Sequence, residues 1–588
     1  GQGRINAVAV DPNNANIWYA GAPAGGIWKS VNAGASWTNL FDEYPQIGVS
    51  GIAITPNDSN TILITTGDDD AGDSFSIGIF KSTDGGNTWN TTSINPSNTN
   101  NTYSMNEITF DPSDASIAWA ASNFGLHKST DGGQNWTVAL NEAVKDFKLK
   151  PGDGNTVYAV TRDKLYKTID GANFSEVTST VLPETSGRMV LGVSAADANV
   201  VYVLSAKTSA DDYEFQGLYK STDSGETFIA SGTSQNIMES PQAWFDLALE
   251  VSPTNANTIY VGCLNIWKSS NGGTSFSKLN NWALNNQAYT HADIHTIKIF
   301  NDDIFVGSDG GIYTSTDEGL TFNDHNSNMA VSQFYRLSIA KNNSTKMVGG
   351  LQDNGGHVFN NSTWNTYHGG DGMDNAIDPN NSNIVYGFTQ YGGSLSISTN
   401  SGQSIGYVGP PKNETTSEDI EGNWITPMAV SADGSLYAGF DVIYKLVGND
   451  WIKQSNFVGF GNVDDIETDP FDANILYAVN EGTIYKSIDA GVTFAEHATV
   501  TGGISDLSIN SSNTNILYAT TSSRIGSYEA NQPFNRGVFK IADDGTTVTV
   551  ENITYNLASD QAFFSIAHQG RNSKNPIYVG TSFGIYYL

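Results

Sequence analysis

The chain has 588 residues, of which 61 are acidic and 28 basic, a net charge of -33. That balance excludes nucleic acid and anionic membrane as partners, because both need a basic face, and its general reading is solubility in a salty medium. Sixty glycines, 26 tyrosines and 12 tryptophans against 15% charged residues predict an all-β protein with many tight turns.

The single cysteine, Cys263, rules out a disulfide framework and sits in the apolar stretch "YVGCLNIW" as core. No apolar run reaches the roughly 18 residues of a membrane helix, so no membrane insertion is expected. The sequence opens almost inside a strand at "GRINAVAV" and closes inside another at "GIYYL", as a mature or trimmed secreted chain would.

In chain order, the first unit is "INAVAVDPNNANIWYAGAPAGGIWKSVNAGASW", residues 5 to 37. It reads as an alternating strand, an Asp-Pro-Asn turn, a strand ending Tyr-Ala-Gly, a third strand Gly-Ile-Trp-Lys-Ser and a turn closing on an aromatic. Further units start near residues 50, 105, 143, 188, 245, 292, 333, 373, 424, 462, 502 and 562. Thirteen units of about 45 residues match the blade of a four-stranded propeller repeat.

The closing turn is S/T-x-D-x-G-x-x-W/F, the Asp box, seen as "STDGGNTW" at 82, "STDGGQNW" at 129, "STDSGETF" at 221, "STDEGLTF" at 315 and "SIDAGVTF" at 487, with weaker copies at 30, 269 and 398. Its Asp can accept backbone N–H bonds, its glycine can take positive φ and its aromatic can pack beneath the blade. Asp84, Asp131, Asp223, Asp317 and Asp489 are therefore folding residues. Catalytic residues should break the repeat.

The eighth unit, around "NMAVSQFYRLSIAKNNSTKMVGG", keeps its strands but has no Asp box, which sets a boundary. The sequence thus predicts two tandem β-propellers: seven blades over residues 1–325, and six or seven over residues 326–588.

Four departures from the repeat can carry chemistry. "TGDDDAGDS" places Asp68, Asp69, Asp70 and Asp73 in one loop, either a solvated acidic loop or a calcium site. "THADIHTIKIF" places His291, Asp293 and His295 at i, i+2 and i+4, one face of a strand, where they either hold a divalent metal or hydrogen-bond at the channel. "GSDGGIYTS" sets Asp309 among flexible glycines. "GGLQDNGGHVF" and "YHGGDGMDNAIDP" gather Gln352, Asp353, Asn354, His357, His368, Asp371 and Asp374 within 23 residues, as an acid pair, calcium ligands or plain turns. Trp244, Trp282, Tyr289 and Trp424 can stack sugars at a channel mouth or serve as inter-blade core.

The boxes "STDGGNTW" and "STDGGQNW", with strands such as "NTIYVG", make the chain resemble the Asp-box (BNR-type) propellers over essentially its full length. Among these, the two-propeller xyloglucanases are similar in architecture. That resemblance implies an acid pair in a cleft between propellers, one member being Asp353. The other belongs near "GAPAGGIWK", where this chain has Ala22 and Pro23, so Asp309 or Asp371 would have to substitute. The stretches "HADIH", "QDNGG" and "GGDGMD" resemble secreted sortilin-like bacterial proteins, a resemblance that implies export and does not supply an activity. Two functions follow: an extracellular module or adhesin binding a polysaccharide or cell-surface protein, with calcium or another divalent metal and no organic cofactor, or a glycoside hydrolase acting on such a polysaccharide. A monomer is expected.

Overall fold

In the computed structural model, the described residues are 2–44, 48–72, 74–100, 102–455, 461–522, 536–557, 561–570, 572, 574–582 and 584–588. They form thirteen antiparallel sheets and no α-helix; twelve sheets have four strands in sequence order and the last has three. The first strands begin at Ala7, Val49, Met105, Asp146, Arg188, Ala248, Ile294, Phe334, Asn375, Met428, Asp465, Ile504 and Phe563, each within four residues of the start read from the repeat. The architecture is two tandem β-propellers.

The sheets are numbered 1 to 13 in chain order. First strands alternate, as Val49–Thr55 does, one face toward a neighbouring sheet. Second strands such as Asp58–Thr66 end in a continuous buried apolar run, because both faces are covered by adjacent sheets. The recurrent Tyr-Ala-Gly ending has a packing cause: a Cβ on Gly21 would lie 2.9 Å from Cγ1 of Val49, so glycine there lets the next sheet approach.

The closing turns are built by one hydrogen-bond pattern. The Asp84 carboxylate accepts from the Thr88 amide (2.9 Å) and hydroxyl (2.6 Å), and the Ser82 hydroxyl accepts from the Gly86 amide (2.8 Å). Asp131, Asp223, Asp317 and Asp489 repeat it. The sequence reading missed one copy, Asp170, which accepts the amides of Ala172 and Asn173 at 2.9 and 2.8 Å. Asn32, Asn271 and Asn400 occupy the position in the weaker copies and accept the amide four residues on. The aromatic that follows, such as Trp89 or Trp136, is buried in an inter-sheet core.

Two compact units divide the chain, Gly1–Gln333 with sheets 1 to 7 and Phe334–Leu588 with sheets 8 to 13. The division lies past the expected residue 325, for a packing reason. Met329 and Val331 are buried in the core between sheets 7 and 1, His325 accepts the Trp37 indole N–H (2.7 Å), and the Ser332 hydroxyl donates to the Gln2 carbonyl (2.6 Å). This segment latches the first ring, which also closes through the Ile5 amide on the Ser308 carbonyl (3.0 Å).

Candidate functional site

In the first unit, the innermost strands line a cavity of about 1100 Å³ that includes Asn6, Glu107, Lys148, Arg188, His295 and Lys298. Segments entering the first strands, together with the loop after Asp58–Thr66, bring a dense polar network to one end of it. The repeat explains why: each sheet contributes its chain entry at that same end.

At the centre is His295. Its Nδ1 lies 3.0 Å from Asp70 Oδ2 and its Nε2 2.9 Å from Asp309 Oδ1, with the Asp309 side chain buried and that of Asp70 15% exposed. Burial disfavours charge on the imidazole, but the Asp309 and Asp70 carboxylates outweigh it and push the pKa up to about 10. His295 is therefore a clamped imidazolium. Asp70 also takes the Arg188 guanidinium at 2.9 Å; against its burial, Arg188 and His295 hold its carboxyl far below the usual range. Arg188 further donates to the carbonyls of Trp244 (3.0 Å) and Phe245 (2.9 Å). Phe245 meets His295 edge-on at 4.7 Å and lies under Arg4 at 5.1 Å. Arg4 in turn pairs with Asp68 at 2.7 Å.

Beside this clamp, Asp246 is fully buried. Burial and the charge on Asp293 raise its carboxyl well above the normal range, and its Oδ1 accepts the Cys263 thiol at 3.6 Å. Cys263 is core, as its sequence context implied. Deeper in the channel, Lys148 bridges Glu107 and Asp146 at 2.6 Å each, and Lys298 reaches Glu107 at 3.2 Å.

The sequence-predicted metal residues are arranged differently from the strand reading. The strand starts at Ile294, and Asp293 has φ +62, so alternation does not carry His291, Asp293 and His295 onto one face. His291 Nδ1 faces the Ala292 carbonyl at 3.2 Å, Asp293 accepts the Gln242 amide, and both nitrogens of His295 are engaged by carboxylates. Among the described residues, the ligand atoms of these three do not converge on one point. Asp68 and Asp70 are taken by Arg4, Arg188 and His295, a donor set unlike the all-oxygen shell of calcium. Asp69 pairs with Lys145, and Asp73 lies outside the described residues.

In the second unit, Gln352, Asp353 and Asn354 form the turn between strands Asn343–Leu351 and Gly355–Asn360, with Asp353 at φ +57. Asp371 Oδ1 accepts the Asp353 amide at 2.8 Å. His357 Nε2 donates to the Asn354 carbonyl (2.8 Å), and His368 Nδ1 to the Gly369 carbonyl (3.0 Å). Burial lowers the pKa of both imidazoles, so they are neutral turn braces. Asp371 thus holds the turn on which Asp353 sits.

A set of carboxylates clasps one sheet to the next, of which the sequence reading had singled out only Asp374. Asp374 accepts the Met428 amide (2.8 Å), Asp465 the Leu507 amide (3.0 Å), Asp506 the Ile566 amide (2.7 Å) and, in the first unit, Asp146 the Leu191 amide (2.7 Å). Desolvation raises Asp374, Asp465 and Asp506, while Arg336 opposes it in all three. An acid opening an otherwise apolar first strand, as in "DNAI", "DDIE" and "SDLS", was the available signal.

The predicted aromatics divide. Tyr289 packs on Tyr313 at 6.1 Å within the core between sheets 6 and 7. Trp244 and Trp282 are exposed. Trp424 is 41% exposed and meets Tyr391, itself 44% exposed, at 5.1 Å and 79°, with Tyr335 behind it at 6.3 Å. Backbone bonds from the Tyr391 amide to the Trp424 carbonyl (3.2 Å) and from the Gly422 amide to the Tyr391 carbonyl (2.9 Å) fix the two loops together. Tyr391 was not singled out in the sequence; an isolated tyrosine after a strand carries no pattern.

No family model matches the chain, and no curated protein does. Solved structures do. The chain is similar to a GH74 enzyme of Niastella koreensis (TM-score 0.61, 19% identity, 100% of this chain and 91% of that one) and the GH74 xyloglucanase of Xanthomonas campestris (0.62, 14%, 100% and 98%). It is also similar to PorZ, a surface component of the type-IX secretion system of Porphyromonas gingivalis (0.57, 12%, 100% and 80%). At these identities the likeness establishes the double-propeller fold.

Proposed function

We propose that this protein is an extracellular glycan-binding double propeller. The observation that carries the reading is the Trp424–Tyr391 pair: two large, partly exposed aromatics packed edge to face on mutually braced loops, with Tyr335 beside Trp424. Flat exposed aromatics match the CH-rich faces of sugar rings, and a braced platform loses little conformational freedom on binding. Trp244 and Trp282 give the first unit exposed aromatics of the same kind. The charge of -33 suits a neutral polysaccharide better than an acidic one.

The carboxylates add support. Asp309 is clamped by His295, and Asp371 caps the Asp353 amide, so both have structural work within their own units. Hydrolysis is a second reading, favoured by one feature: carboxylate oxygens of Asp293 and Asp309 lie within 4.8 Å of each other. Retaining glycosidases separate their carboxyl groups by about 5 Å.

Electrophoresis through gels containing neutral polysaccharides, with parallel reducing-end assays, distinguishes the readings. Retardation without release, weakened by Trp424→Ala, supports binding. Release abolished by Asp309→Asn in a variant that is still retarded would establish hydrolysis, and neither signal would direct attention to a protein partner.

A further inference from the structure

The connections between successive sheets of the first unit are uneven in length. The two longest, residues 231–247 and 279–293, stand on either side of sheet 6. Among the described residues neither forms a helix or strand, and ordered connections of this length are uncommon in a compact domain unless they carry a function. Each presents an exposed tryptophan, Trp244 in the one and Trp282 in the other.

Two contacts bring these connections to one place. The Gln242 side chain donates to the Asp293 carboxylate, joining them directly. In the turn between strands Ile259–Gly262 and Ile266–Ser269 of sheet 6, the buried Asn265 side chain bridges them: its Nδ2 donates to Glu239 Oε2 at 2.9 Å, and its Oδ1 accepts the Trp282 amide at 3.1 Å. No more than about 8 Å therefore separates the Trp282 amide from the Glu239 carboxylate.

Glu239 has a left-handed backbone, φ +59, directly after the fully buried Ile237 and Met238. A residue other than glycine keeps that conformation only where its surroundings enforce it, and such residues gather at ligand sites. Here the carboxylate is fixed further by the Trp267 indole N–H at 3.2 Å and the Lys278 ammonium at 2.6 Å, and Lys278 lies 5.4 Å over the Trp267 ring. Glu239 and Lys278 still keep 24% and 32% of their side chains exposed, so an acceptor and a donor of fixed position meet solvent beside the Trp282 loop. That loop is braced as well: the Leu284 amide donates to the Asn281 carbonyl (2.9 Å), the Asn286 amide to the Leu284 carbonyl (3.0 Å) and the Tyr289 amide to the Asn286 carbonyl (3.1 Å).

We propose that Trp282, Glu239 and Lys278 form a second saccharide site, on the first unit. One sugar residue stacks its apolar face on the Trp282 indole, while its hydroxyls donate to Glu239 and accept from Lys278. The paired carboxylate and ammonium balance each other in charge, which selects a neutral sugar. The proposal rests on the glycan-binding reading above and adds to it a site that does not involve Trp424.

Gel mobility with hydroxyethyl cellulose and with galactomannan tests this. In the polymer that retards the wild type, Trp282→Ala should lose at least threefold in affinity with an unchanged melting curve, and Glu239→Gln and Lys278→Gln should each weaken binding. The double variant Trp282→Ala, Trp424→Ala should run unretarded. Oxidation by N-bromosuccinimide, read by peptide mass spectrometry, gives a second measurement: the polymer should protect Trp282 severalfold, in the wild type and in Trp424→Ala alike. Equal oxidation of Trp282 with and without polymer, or wild-type mobility of Trp282→Ala, would overturn the proposal whatever Trp424 does. Wild-type affinity in both Glu239→Gln and Lys278→Gln would overturn it too. A loss confined to Trp282→Ala, with Trp424→Ala unaffected, would sink the Trp424 site and support this one, and a wild-type chain retarded by neither polymer would overturn both.

Discussion

His295 carries the clearest residue-scale prediction. Its pKa rises from 6.5 to about 10 on folding, so its contribution is fully present below pH 6.5 and is lost as pH climbs through about 10. Asp70 has the opposite sign: its carboxyl is depressed from 3.8, so its contribution is lost as pH falls below that value. Asp246 has its carboxyl raised above 3.8 by burial, so its contribution begins to be lost as pH rises past that value. Thermal unfolding followed across pH should therefore show stability lost below pH 3.8 with Asp70 and a steeper loss setting in above pH 6.5 with His295. His295→Gln should cost on the order of a few kcal/mol at pH 6 and flatten the alkaline limb, because Asp70 and Asp309 would be left buried with one cationic partner fewer. An alkaline limb of unchanged slope would show that His295 is neutral. The sequence marked Asp70, Asp309 and His295 as departures from the repeat but could not pair them: Asp70 and His295 are 225 residues apart, and only closure of the ring brings them together.

At the scale of the element, the closing turn explains why the repeat was so readable. Its hydrogen bonds are local, spanning two to four residues, so the motif carries its own geometry. Asp131→Ala removes acceptors from a solvent-exposed turn and should cost about 1–2 kcal/mol in a urea titration. Gly133→Ala should cost more, since Gly133 has φ +88 and a Cβ there would lie 2.4 Å from Cδ1 of Leu63. The reverse order would mean that the turn is held by the carboxylate more than by the backbone. Local legibility also had a limit. The H-x-D-x-H spacing implied one strand face, yet the strand starts only at Ile294, and a positive φ at Asp293 cannot be read from spacing.

For the whole molecule, apolar cores join all seven sheets of the first unit in a ring, while among the described residues none joins sheet 13 to sheet 8, so the two units should open differently. Amide hydrogen exchange is expected to be slow in the first strands of all seven sheets of the first unit. In the second, the strands Phe563–His568 and Ile577–Thr581 should exchange faster than Asp465–Thr468, which is covered on both sides. Uniform protection across the second unit would contradict the open faces of sheets 8 and 13. Thirteen repeats and their starts were legible because hydrophobic period and turn chemistry recur; the boundary at Gln333 was not, because the latch of Met329 and Val331 depends on a core formed with residues at the far end of the unit.

Trp424 and Tyr391 are the proposed glycan platform. Its most direct test is the mobility of the wild-type protein and of Trp424→Ala in gels with increasing neutral polysaccharide. The account predicts retardation of the wild type and a loss of about tenfold in affinity for the variant, a little over 1 kcal/mol, with an unchanged melting curve. Equal mobility of the two proteins at every polysaccharide concentration would contradict it.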